Sequence, residues 1–178
     1  MARKLSPVLT RPWAKDFFDF FEDVRTALNG GADLLRTMVL STAQMSTNAA
    51  SAARLNTPVG FAYFADGTFG TVAASGDLAT VSGYTIGSQR ANVFVFTVDS
   101  DGSMGVYQGT EAASVGAVTL PTTVPTNVAK IGLAFVSALS TADWTGGTTT
   151  FSGYTTYYNI VGPLDWTVAD VAQKFTER

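Results

Sequence analysis

Asp66-Gly67, set between VGFAYFA and TFGTVA, constrains the chain more than any other feature of its sequence. Both residues of an Asp-Gly pair tolerate positive φ, which the tight two-residue turn of a β-hairpin requires. Apolar and small residues flank the pair, so residues 59–73 are predicted to form two antiparallel strands. The same punctuation recurs downstream. Candidate strands cover 80–86, 91–98, 103–108, 115–120, 130–139, 148–153 and 154–161, divided by Gly, Asp and Pro. Short strands at this spacing predict a mainly β protein with an antiparallel β-sandwich or jelly-roll-like body. Residues 93–96 are apolar without a break, which predicts a central strand covered on both faces.

Composition fits such a body. Apolar residues make up 46% of the 178 and charged residues 14%, against about 25% charged in an average soluble protein. A packed core is expected, with a further apolar surface for a partner. Cysteine and histidine are absent, which removes disulfides, zinc or haem ligation by either, and Ser-His or Cys-His nucleophilic pairs. Residues 1–54 carry seven basic and five acidic side chains, whereas the remainder carries four and nine. A mildly acidic, lysine-poor body lacks the clustered cations that neutralise phosphates, so no nucleic-acid partner is expected. No apolar run approaches the roughly 18 residues of a membrane span, so no membrane partner is expected either. MARKLSPVLTRPW lacks the apolar run of a signal peptide, which predicts a protein made in the cytoplasm and not exported by that route.

Residues 1–56 read as an N-terminal arm and helical segment, ahead of a β-domain over 57–163. Arg3, Lys4 and Arg11 make the first twelve residues a basic arm, interrupted by Pro7 and Pro12. Over 12–31, Trp13, Phe17, Phe20, Phe21, Val24 and Leu28 recur at helical spacing, with Phe18 beside them. Pro12 suits the first turn of a helix, and Gly30-Gly31 its end. An aromatic face this wide packs on the protein's own sheet or on a neighbouring subunit. Leu35, Met38, Thr42, Met45, Ala49 and Ala52 recur at three- and four-residue steps, so 32–56 is expected to be a helix along the body, or one strand of a trimeric bundle, with some loop. A short C-terminal helix is expected over 164–178, opened by a capping box at Thr167 and Asp170.

The oxygen-rich stretch Asp99-Ser100-Asp101-Gly102 has the spacing with which calcium loops begin. With Gly102 in the glycine position of an EF-hand loop, the first ligand falls on Thr97 and the twelfth on Gln108, and neither is a carboxylate. The flanks read as strands rather than helices. A hairpin turn is expected, and no metal. The body's acidic residues, Asp66, Asp77, Asp99, Asp101, Glu111 and Asp143, sit among turn signals and do not announce the facing pair of a glycosidase. Lys130, expected at an exposed strand start, and Arg90 are its basic residues. No P-loop, GxSxG or dinucleotide motif is present, so neither enzymatic activity nor a cofactor is expected. Trp144, in ADWTGGTT, is either an exposed platform for a sugar or a ring tucked under its own loop.

The order of motifs adds a resemblance. An aromatic hairpin with a central glycine leads to Val98, Asp99 and Gly102, then Gln108, Gly109 and Glu111. Leu120, Pro121 and Pro125 follow, then Ile131 and Gly132, then Gly146, Gly147, Thr148 and Thr149, and a last strand with Tyr154, Tyr157 and Tyr158. Over residues 57–162 this resembles a domain of structural proteins in tailed-bacteriophage particles. The resemblance implies a β-sandwich on the virion surface, made in the host cytoplasm. It also implies a capsid decoration (cement) protein or a fibre component, frequently a homotrimer, with the major capsid protein as partner. On that footing Arg3, Lys4, Arg11, Trp13, Phe17, Phe18, Phe20 and Phe21 become the candidate capsid interface. A tail or fibre module binding host-surface glycan is the alternative.

Overall fold

The computed structural model describes residues 35–48, 50–51, 54–138, 141–151 and 155–162. The chain divides into two units, Met1–Leu34 and Leu35–Arg178, and every described residue belongs to the second. That unit is mainly β and its sheets are antiparallel. No helix among the described residues is long and apolar enough to cross a membrane.

The strands are β1 (Met38–Val39), β2 (Ser46–Thr47), β3 (Leu55–Thr57), β4 (Phe61–Ala65), β5 (Thr68–Val72), β6 (Gly76–Asp77), β7 (Thr85–Ile86), β8 (Ala91–Val98), β9 (Met104–Gln108), β10 (Ala129–Ser137), β11 (Trp144–Thr145) and β12 (Thr155–Asn159). They pair as β1-β4-β5, as β12-β10-β8-β9, and as the small sheets β11-β7 and β2-β3-β6. The Asp-Gly expectation holds. β4 and β5 pair with Ala65 opposite Thr68, and the turn residues have φ of 48° at Asp66 and 76° at Gly67. Arg36 closes the tip by an ion pair to Asp66 at 2.8 Å.

β8 is the centre of the body, as its unbroken apolar run predicts, and all eight of its residues are buried. Period-two alternation sends Phe94, Phe96 and Val98 to one face and Val93 and Val95 to the other, into separate apolar clusters. β10 lies beside it and changes parity part-way. Ala129 and Ile131 join the first cluster, but so do Ala134 and Val136, while Leu133 and Phe135 join the second. The pairing explains the switch. Lys130 faces Thr97 and Gly132 faces Phe96, so Ile131 is an extra residue, a β-bulge. Its carbonyl accepts the Ile160 N–H at 3.0 Å. The first cluster is completed by Val39, Leu55, Phe61, Tyr63, Leu78, Val81, Ile86, Trp144 and Phe151. The second lies beneath the connection from β9 to β10, which contributes Val118, Leu120 and Val124.

Four local expectations need correction. Over its described part, 32–56 is helical at residues 35–36 alone and otherwise contains β1, β2 and the start of β3. Val39 is held by partners far along the chain, Tyr63 and Gly162, and Ser46 by Asn56 at the end of the same segment. In 80–86 only Thr85–Ile86 is strand. Val115–Ala117 is a 3-10 turn instead of a strand start. Residues 148–151 are turn and bend, because the Thr148 and Thr149 N–H groups both bond to the Thr145 carbonyl. The expected helices over 12–31 and 164–178 lie outside the described residues.

Candidate functional site

The predicted interface residues Arg3, Lys4, Arg11, Trp13, Phe17, Phe18, Phe20 and Phe21 also lie outside the described residues. The chemistry-bearing residues of the body are described, and most of them serve its own loops.

Asp99 comes first. Its Oδ1 accepts the N–H of Asp101 at 3.0 Å and of Ser103 at 2.8 Å. Its own N–H donates to the Ser103 carbonyl, and the Gly102 N–H returns to the Asp99 carbonyl. The DSDG stretch is therefore the turn joining β8 to β9. Among the described residues, no three or more His, Cys, Asp or Glu side chains cluster as a metal site would need. Asp99→Ala is expected to destabilise the fold by about 1–2 kcal/mol, from two charge-assisted bonds at a partly exposed site. Asp99→Asn, which keeps an acceptor oxygen, should recover most of that in a urea titration. The Tyr63 hydroxyl reaches the same turn, close to Gly102. Burial pushes its pKa up, and the nearby charges of Asp99 and Asp101 push it the same way.

Three side chains clip the loop over 85–88 to the body. Glu111 accepts the Gly87 N–H through Oε1, Asp143 accepts the Ser88 N–H at 2.7 Å, and the Gln108 amide donates to the Thr85 carbonyl at 3.2 Å. Gly109, between two of them, lies where a Cβ would run into the Thr119 carbonyl oxygen and the Val93 side chain. Asp77 pairs with Arg54 at 3.5 Å and accepts a bond from the Asn48 amide. The motifs that carry the phage resemblance thus have structural work here, chiefly in fixing turns.

Trp144 is tucked under its loop. It is 2% exposed, its ring lies 5.6 Å from Phe94 and 5.2 Å from Phe151, and its indole N–H donates to the Thr150 carbonyl. A buried ring offers no stacking surface, so the glycan reading loses the platform proposed for it. Tyr157 shares a hydrogen bond with Thr47, and Tyr158 meets Phe135 edge-on, so both are strand residues with structural partners.

Lys130 is not an exposed strand start. β10 begins a residue earlier, and Lys130 is 7% exposed opposite the buried Thr97. Burial lowers its pKa below the usual 10.5. The folded state therefore disfavours the charged amine, and this penalty is fully present at neutral pH. It fades as pH rises through the folded-state pKa towards 10.5. Lys130→Met is expected to stabilise the protein at pH 7 by on the order of 1 kcal/mol. In denaturant titrations that advantage over wild type should shrink as the pH approaches 10.5.

What the sequence did not indicate is an apolar outer face on β1-β4-β5. Phe61, Tyr63 and Ala65 point into the core, so Ala62 and Phe64 point out. Phe69, opposite Phe64, is 58% exposed and meets it edge-on at 5.6 Å. Leu40 and Val161 are also exposed, and the Val39–Gly162 bridge sets them side by side on β1's far side. Alternation within β4 and β5 alone hints at Phe64 and Phe69, but β1 comes from sequence that read as a helix, and its bridge to Gly162 joins segments more than a hundred residues apart.

No protein-family model, curated protein or solved structure matches the chain.

Proposed function

We propose that this protein is a structural component of a tailed-bacteriophage virion, a capsid decoration protein that stabilises the head by adhering across shell subunits. The body is read as a β-sandwich, with β12-β10-β8-β9 and β1-β4-β5 as its two layers and residues 1–31 as the attachment segment. The assembly is read as a homotrimer on the capsid surface with the major capsid protein as partner. Its action is adhesive and not catalytic.

The observation that supports this reading best is the use made of the resemblance motifs. Asp99, Gln108, Gly109, Glu111 and the Gly146–Thr149 turn each hold a loop of the body in place. That is what a family likeness at the level of fold needs. It also leaves Asp99, Gln108, Glu111 and Asp143 engaged with the body's own backbone. Adhesion then falls to apolar area in the attachment segment, where Trp13, Phe17, Phe18, Phe20 and Phe21 are concentrated beside the cations Arg3, Lys4 and Arg11. At ~25 cal/mol per Å² of buried apolar surface, modest contacts suffice when repeated over a symmetric shell.

The test adds purified protein to undecorated heads and measures co-sedimentation. Saturable binding that is lost when residues 1–31 are removed is expected. Absence of binding, or equal binding by the truncated chain, contradicts the proposal.

A further inference from the structure

We propose that β5 is a self-association edge, through which two copies of this chain join their β1-β4-β5 sheets antiparallel about a two-fold axis at Gly70. The contact does not depend on the virion reading.

The first reason is how the other edge of its own sheet and both edges of β12-β10-β8-β9 end. β9 is bordered by the loop leading into β7: the Tyr84 hydroxyl reaches the Val106 carbonyl and Gln108 reaches Thr85. β12 is bordered by residues 45–47, through Met45 N–H to Asn159 and Thr47 to Tyr157. The outer side of β1 bridges to Gly162. β5, five residues long, ends its sheet with no described segment against it.

The second reason is the direction of its backbone. Ala62 gives its carbonyl to Leu40 on β1, so the even-numbered residues of β4 bond to β1 and the odd-numbered ones to β5. The register then turns the N–H and C=O of Phe69 and Thr71 away from β4. Among the described residues neither has a partner on that side. Natural sheet edges are protected by charge, proline, a bulge or a cover. Thr68–Val72, TFGTV, has no charge and no proline, and it pairs with β4 without a bulge.

The occupant follows from self-complementarity. An uncharged strand meets its own copy without repulsion, and a two-fold contact uses one patch twice. Centred on Gly70, the pairing sets Phe69 opposite Thr71 of the second copy, twice over. The outward N–H and C=O of both residues then close four ladder bonds. On the outer face each Phe69 lies against a threonine, a favourable aromatic–β-branched cross-strand pair. On the inner face glycine meets glycine, and the gap over each is already filled by the Tyr63 ring of its own chain.

The full chain should sediment as an even-numbered species at tens of micromolar: a hexamer if the homotrimer also forms, a dimer if it does not. Thr71→Pro removes an outward N–H without touching the bonds to β4, and Phe69→Lys adds a charge at an exposed position. Either should halve the mass at equal concentration while the circular dichroism stays unchanged. The chain has no cysteine of its own. A Phe69→Cys/Thr71→Cys double variant should therefore yield a covalent dimer on mild oxidation, because antiparallel hydrogen-bonded partners bring Cα atoms to about 5.5 Å. A wild-type monomer or trimer, an association untouched by both substitutions, or no covalent dimer overturns the proposal. A clean trimer would do so while leaving the virion reading intact.

Discussion

Trp144→Ala is expected to lower the unfolding free energy by about 3–5 kcal/mol, the range for removing a large buried aromatic. The ring fills the space between Phe94 on the central strand and Phe151 on the loop that follows β11. Its indole N–H also secures the Thr150 carbonyl, which loses its donor in the variant. Phe94 meets Tyr84 edge-on at 5.5 Å, so a void at Trp144 would loosen a row of rings and not one contact. For a chain of this size the melting temperature should fall by roughly 10 °C. A thermal melt followed by circular dichroism checks it. A fall of only a degree or two would mean that the ring is not a core residue, and would restore it as a candidate platform.

Gly109→Val should be nearly as costly, for the opposite reason. The Gly109 N–H is bonded to the Val93 carbonyl at 2.8 Å, and the neighbouring Thr110 N–H to the Thr119 carbonyl at 3.0 Å. The backbone is thus pinned to β8 on one side and to the 119 segment on the other. A side chain at 109 has to displace both the Thr119 carbonyl and the buried Val93 side chain. Overpacking of this kind costs about 3 kcal/mol when the obstacle is backbone that cannot retreat. A urea midpoint lowered with an unchanged slope is the expected signature. An unaffected midpoint would show that the connection lifts freely from the sheet, and that the second apolar cluster contributes little to stability.

Much of the sheet was legible in the sequence wherever the determining interactions are local. Asp66-Gly67 sets its hairpin by its own dihedral preferences, and the run from Val93 to Phe96 marks a strand apolar on both faces. The DSDG turn was legible too, because Asp99 bonds only to residues within four positions of itself. Legibility failed where a partner is distant. The three- and four-residue steps through Met38 and Met45 imitate a helix, yet Val39, Ala43 and Met45 are buried at strand-like, odd-numbered positions. What holds them is Tyr63, Gly162 and Asn159, which no local window contains. Lys130 misled because β10 is paired with β8 from its first residue, so a charge one residue into the strand is already buried opposite Thr97. Asp143 and Trp144 look like one exposed loop, but as neighbours they point opposite ways, one to Ser88 and the other into the core. The uncovered edge of β5 depends on strand order, which the sequence does not state.

One property joins these observations. Asp66, Asp77, Asp99, Glu111 and Asp143, five of the six acidic residues between 57 and 163, are engaged by the body's own backbone and side chains. The most direct measurement is the melting temperature of the full chain with and without 1 mM calcium. A site of about 10 µM affinity would then add roughly 2.7 kcal/mol and raise the transition by several degrees. If the carboxylates serve the loops, the two melts coincide, and Asp99→Ala melts lower by the same margin in both. A calcium-dependent rise in the wild type that vanishes in Asp99→Ala would contradict this account, and would make the β8–β9 turn a binding site.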